Sequence, residues 1–154
     1  MQLYLFNPEN DLALADGNAN YSAPPSANKI AYDLSTLPLW FADEEDFVLL
    51  PDAIHTDYYN TYSQIFKFPQ LFTSNNNSIT HCTPWGWSLQ IRKRFTNMGF
   101  SDEVLPSIET INKLRELSNR KVTIEILKGL RNRAVDIPPL PLYITSTEEV
   151  AEFI

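Results

Sequence analysis

The chain of 154 residues has one cysteine, four glycines and two histidines. Each shortage removes a class of protein. A single thiol, Cys82, excludes an internal disulfide, and Met1-Gln2-Leu3-Tyr4-Leu5-Phe6 has neither the length nor the basic leader of a signal peptide. The expected compartment is therefore cytoplasmic. No apolar run approaches the roughly 18 residues of a membrane span, so no membrane partner is expected. No glycine precedes Gly17, which leaves no room for a G-x-G-x-x-G turn after a first strand, and no P-loop occurs anywhere. His55 and His81 lack metal-ligand spacing to another His or Cys, so no metal site is expected. Ser22 and Ser26 lack the G-x-S-x-G setting of an activated serine. Positive charge is scarce as well. Twelve Lys and Arg against nineteen Asp and Glu give a net charge of −7, which argues against a general nucleic-acid binder.

What is present suffices for a folded domain. Hydrophobic residues make up 44% and charged residues 20%, a composition that buries a core. The charge is unevenly placed. Residues 1–88 hold ten acids and two bases, residues 89–133 five acids and ten bases, and residues 134–154 four acids and no base. The basic middle reads either as solvated helix faces or as a contact face for an acidic partner.

Residues 2–6 suit a buried strand stopped by Asn7-Pro8-Glu9-Asn10-Asp11, and residues 12–23, small and polar, read as a loop. A helix is predicted near 25–36, opened by Pro24-Pro25 and carrying Ile30, Ala31 and Leu34 at helical spacing. Leu37–Phe41 and Phe47–Leu50 read as strands. Thr56-Asp57 opens a helix with Tyr58, Tyr62, Ile65 and Phe66 on one face. Leu71-Phe72 is a weak strand, residues 74–78 a polar loop, and Ile79–Cys82 a strand running into Pro84-Trp85-Gly86-Trp87. Helices follow through Leu89–Phe95, from Ser107 through Leu117, and across Val122–Leu130. Ile137–Pro141 is stiff and extended, Leu142–Ile144 a short strand, and Ser146 with Glu149 a capping box. The alternation predicts an α/β chain: a mostly parallel sheet with helices on both faces and a helical block after it. A strong helix start at 146 with no stop signal gives the expectation of a fragment of a longer protein.

In open parallel sheets, ligands bind beyond the carboxyl ends of the strands, and two segments are predicted there. Asn7-Pro8-Glu9-Asn10-Asp11 carries two carboxylates and no glycine, so it repels phosphate. Asn7, Glu9, Asn10 and Asp11 suit an amine, a hydroxyl-rich group or a cation. Their other reading is turn and cap chemistry. In Thr83-Pro84-Trp85-Gly86-Trp87-Ser88, Trp85 and Trp87 can stack on a flat or sugar-like ligand, seat a neighbouring domain or anchor the core. His81 and Cys82, adjacent on a strand, point to opposite faces, which disfavours a catalytic pair. Tyr58, Tyr59 and Tyr62 read as helix packing. No catalytic residue is assigned.

Residues 122–154, with Asp136-Ile137-Pro138-Pro139, Tyr143-Ile144-Thr145 and the run Ser146-Thr147-Glu148-Glu149-Val150-Ala151-Glu152-Phe153-Ile154, resemble the entry to an ATP-grasp domain. The run from Leu5 to Ala15 together with Pro84-Trp85-Gly86-Trp87 resembles a group of uncharacterised bacterial ATP-grasp-like proteins, within the carbamoyl-phosphate-synthase-like superfamily. The resemblance implies a Rossmann-like pre-ATP-grasp domain over 1–133, and an extended linker with the start of an ATP-grasp domain over 134–154. It implies a substrate-side domain of a ligase that uses ATP and magnesium to activate a carboxylate for attack by an amine or other nucleophile. The ATP-contacting residues would lie in a C-terminal ATP-grasp partner domain, with no cofactor held by this chain and a polar small molecule as substrate. Two other readings stand beside it. One is a non-catalytic ligand-binding or protein-interaction module using the acidic N-terminal face, and the other a complete small enzyme of flavodoxin-like build.

Overall fold

The computed structural model describes residues 1–51, 53–74, 78–133, 136–137, 139–140, 142–144 and 146–153, and for 53–54 and 151–153 the backbone alone. The chain divides into two compact units, Met1–Asn112 and Lys113–Ile154.

The first unit is built on a four-stranded, wholly parallel sheet in the order β3-β2-β1-β4. The strands are β1 (Gln2–Leu5), β2 (Phe47–Val48), β3 (Gln70–Leu71) and β4 (His81–Pro84). Leu3 lies beside Phe47 and Cys82, and Tyr4 beside Val48 and Thr83. Side chains alternate between the faces of a strand, so this register separates two apolar clusters. Leu3, Leu5, Phe47 and Cys82 form one cluster with Ile91 and Phe95 of α4 (Leu89–Asn97). Val48, Tyr4 and Leu71 form the other with Leu39, Phe68, and Tyr58 and Tyr59 of α3 (Ala53–Tyr62). Both faces of the sheet are thus covered. This is an α/β architecture whose strand order is consistent with a Rossmann-like fold.

Edge strand β4 ends on Pro84, and Pro69 immediately precedes edge strand β3, each in a tolerated place. Trp85 N–H donates to Leu5 O at 2.8 Å, and Gln70 N–H to Asp46 O at 2.8 Å. Successive amides of a strand point in opposite directions. The nitrogens of Pro84 and Pro69 therefore face away from the sheet, where their missing hydrogens cost the ladder nothing.

Several sequence expectations change. Leu37–Trp40 is a 3-10 turn rather than a strand. Pro38 cannot donate to a ladder, and the turn buries Leu39 to 2% exposure while Trp40 stays 49% exposed. Residues 10–16 are helix rather than loop: α1 (Asn10–Asp16) buries Ala13 and Leu14 and ends at Gly17, whose φ of 74° is the left-handed cap glycine favours. The fourth strand is His81–Pro84 rather than 79–82. The polar loop expected over 74–78 includes 75–77, outside the described residues. Helices α2 (Pro25–Asp33) and α5 (Ile108–Leu117) form close to where their spacing and caps predict. Thr110 N–H donates to Ser107 Oγ at 3.0 Å, capping α5. The helix expected from Thr56 is α3, which begins at Ala53, and Ile65 and Phe66 lie beyond its end.

The second unit contains α6 (Arg120–Arg131), capped where Lys121 N–H donates to Asn119 Oδ1 at 2.9 Å. It also contains α7 (Thr147–Phe153), where Glu149 N–H donates to Ser146 Oγ at 3.2 Å, as the capping pattern predicts. Lys121 Nζ stands 5.1 Å from the Tyr143 ring centroid. The strand expected at Leu142–Ile144 does not form. Pro138, Pro141, Thr145 and Ile154, which entered the sequence expectations, lie outside the described residues.

Cys82 is on the buried face of β4 and His81 on the exposed one, as the alternation requires. Burial pushes the Cys82 thiol up to about 12. At pH 8 only about one thiol in ten thousand is then ionised. The folded protein is expected to leave a chromogenic disulfide reagent unreacted over minutes and to react with one equivalent in denaturing urea. Fast stoichiometric reaction of the folded chain would contradict the buried placement.

Candidate functional site at the β1–β4 junction

The strand order reverses direction at β1. The chain moves outward through β2 and β3, then returns to place β4 on the other side of β1. Because β1 and β4 are parallel neighbours paired up to Leu5 and Pro84, their carboxyl-end loops, 6–9 and 85–88, leave the same end of the sheet side by side. Such a reversal is where open α/β sheets place their ligands.

The two loops are stitched together by side-chain amides. Asn7 is 1% exposed. Its Nδ2 donates to Gly86 O at 2.9 Å, and its Oδ1 accepts from Gly86 N–H at 3.3 Å. The side-chain amide thus continues the β1–β4 ladder for one more step after the backbone has turned away. Asn10, 7% exposed, lies on the other side of the same peptide. Oriented to satisfy its surroundings, its amide donates to Gly86 O at 2.9 Å and to Trp87 O at 3.2 Å. A β-carbon on Gly86 would lie 2.9 Å from Asn10 Cβ and closer still to its amide group. Glycine is therefore required at 86 by the close approach of α1. Ser88 completes the corner: its buried Oγ accepts from Ile91 N–H at 3.3 Å and caps α4.

The predicted site residues separate accordingly. Asn7 and Asn10 face Gly86, bridging two loops far apart in the chain rather than satisfying nearby backbone as in their turn and cap reading. Trp87 is half-buried, packs on the Phe95 ring at 5.7 Å and belongs to the core cluster. Trp85 is 61% exposed, its ring edge-on to Phe6 at 5.3 Å. Asp11 is exposed in the first turn of α1. Glu9 is half-buried, and its Oε2 is buried with no hydrogen-bond partner among the described residues. Burial raises the Glu9 carboxyl above its ordinary range, against the lowering effects of its own backbone amide and of the Arg94 guanidinium. Arg94 of α4 is the residue that sequence reasoning passed over as part of a solvated basic block. α1 packs beside α4, and burial lowers the Arg94 guanidinium while Glu9 raises it. The available signal was its position just before Phe95, which faces the sheet.

A carboxyl whose folded value lies above its unfolded value contributes stability that is complete below about pH 4 and is lost as pH rises through the folded value. The stability of the natural chain minus that of Glu9→Gln is expected to fall between pH 4 and pH 7, read as urea midpoints. A difference flat or rising with pH would remove the desolvated carboxyl from the site.

Among the described residues no group of three or more His, Cys, Asp and Glu is placed to hold a metal ion, and no helix is long and apolar enough to cross a membrane. At the ends of β1 and β4, Asn10 covers the backbone of Gly86, and Asp11 and Trp85 are exposed. Comparison with protein-family models, with curated proteins and with solved structures finds no match to this chain.

Proposed function

We propose that this chain is the substrate-side domain of an ATP-grasp ligase-like enzyme, in which the β1–β4 junction receives a polar, amine-bearing substrate. The observation that carries this reading is chemical. The reversal point of a parallel sheet bears the half-buried carboxyl of Glu9, the exposed one of Asp11 and an exposed indole at Trp85, where a nucleotide-binding sheet would bear glycine and backbone amides. Carboxylates and an aromatic face attract a cation and repel a phosphate. On this reading residues 1–133 are a Rossmann-like pre-ATP-grasp domain, and 134–154 lead into a partner ATP-grasp domain. That domain supplies the contacts to ATP and magnesium, and the cytoplasm is the compartment.

The second reading, a non-catalytic binding module, is favoured by one observation. Asn7 and Asn10 are engaged with Gly86, and no activated nucleophile stands beside the remaining groups. One experiment bears on both readings. The chain is titrated with a panel of amino acids, diamines and neutral polyols, and separately with ATP–magnesium, by calorimetry and Trp fluorescence. Binding of an amine that Asp11→Asn and Trp85→Ala each weaken at least about tenfold, with no heat from ATP–magnesium, is the expected result. Stoichiometric micromolar ATP binding, or indifference of every amine to both substitutions, would sink the substrate-side assignment. ATP-dependent turnover on adding an ATP-grasp domain in trans would separate the ligase from the module.

A further inference from the structure

The 3-10 turn before β2 and the segment between α3 and β3 leave an aromatic surface in water. Trp40, Phe41, Ile65 and Phe66 are 49%, 54%, 73% and 45% exposed. Trp40 and Phe66 are contiguous, their rings 5.1 Å apart and each against Phe68, at 5.0 and 6.2 Å, while Phe41 and Ile65 are their neighbours in the chain. Exposed apolar surface of this kind marks a contact site more often than a scatter of single residues does. Its border is acidic. Asp43, Glu44 and Glu45 are all exposed, and the bridge from Lys67 Nζ to Glu44 at 3.1 Å fixes that turn beside Phe66. One cation against three carboxylates leaves the border negative.

The same chain carries a surface of the opposite character. Helix α6 is Arg-Lys-Val-Thr-Ile-Glu-Ile-Leu-Lys-Gly-Leu-Arg, with no residue buried. Ile126 is 56% and Leu130 36% exposed. Arg120, Lys121, Lys128 and Arg131 surround one acid, Glu125, which is bonded to Lys128 at 3.0 Å. An apolar stripe flanked by bases fits an aromatic face flanked by acids in both hydrophobicity and sign.

We propose that α6 of a second copy docks on the aromatic face formed by Trp40, Phe41, Ile65 and Phe66. The interface is heterologous, because the two surfaces differ, so each copy offers one of each and association grows with concentration. Charge across the border makes it salt-sensitive.

Sedimentation equilibrium of the full chain tests this. The mean mass is expected to rise between about 10 µM and about 1 mM, and to rise less in high salt. Two variants leave the apolar residues untouched, so folding is not at issue: Asp43→Lys with Glu45→Lys, and Lys128→Glu with Arg131→Glu. Each alone is expected to weaken association at least about tenfold. Mixed, they should regain association, because the natural α6 of one meets the natural face of the other and the two reversed surfaces are again opposite in sign. A second pair, Trp40→Ser with Phe66→Ser and Ile126→Ser with Leu130→Ser, should form a one-to-one pair and nothing larger when mixed, because each variant retains only one competent surface. Natural protein that stays monomeric throughout would overturn the proposal. So would association indifferent to both charge reversals, or a mixture no more associated than its parts. Association lost with the aromatic pair alone would point to a face-to-face contact and would equally overturn it.

Discussion

Asn7→Asp is expected to lower stability by at least about 3 kcal/mol at pH 7 and to recover most of that loss below pH 4. The substitution changes one side-chain NH2 to oxygen in a group that is 1% exposed. At neutral pH the new carboxylate cannot donate to Gly86 O, and it places a charge where only Gly86 N–H can answer it. Once protonated, it can donate again, with a shape close to the natural amide. The direction follows from linkage. The introduced carboxyl has a folded value raised above the unfolded value of about 3.9, so the folded state holds its proton more tightly. Stability is near the natural level below the unfolded value and declines as pH rises through the folded one. Urea unfolding followed by Trp fluorescence at several pH values reads this directly. Equal stability of the two proteins at pH 7 would show that Asn7 does not bridge the loops.

Gly86→Ala is the second large effect, about 2–3 kcal/mol of destabilisation at any pH. The added methyl meets the Asn10 side chain, and its contact with Asn10 Cβ is the part that cannot swing away, because that atom is fixed to the first turn of α1. Asn10→Gly in the same chain removes the obstacle, so the double variant should lose less than the sum of the single losses, a coupling visible in a double-mutant cycle. Additive losses would mean that α1 does not approach Gly86. The Trp85 and Trp87 emission, on either side of the substituted position, should also shift in the single variant.

Much of the sheet is legible from hydrophobic runs. Residues 2–6 and 47–50 fall on β1 and β2, while 71–72 and 79–82 only partly overlap β3 and β4, because these strands are short. Their boundaries slip by a residue or two where a backbone group, rather than a side chain, decides the end. Leu37–Phe41 misleads for a definite reason: it has a strand's apolar content with proline at its second position. Helix α1 escapes because seven residues are too few for a period to declare itself. At the junction, the sequence points to both loops but not to their relation. Asn7 and Gly86 are 79 positions apart, and nothing local distinguishes an asparagine that bonds a distant peptide from one that faces a ligand. The division of labour among Asn7, Glu9, Asn10 and Asp11 is a tertiary fact. Arg94 was hidden in the same way, as one base among ten in residues 89–133.

Pro69 and Pro84 have a meaning beyond the ladder they leave intact. A β-sheet with two bare margins is a template, and any extended peptide that finds it can zip onto the free amides. Here the outward row of β3 offers only the Leu71 amide, and that of β4 only the Cys82 amide, because proline holds the next outward place on each side. A visiting strand would find one donor and then a gap. Each margin is consequently poor in donors, which weakens strand exchange or fibril-like stacking along it and leaves helices, loops and side chains as the better-equipped contact surfaces.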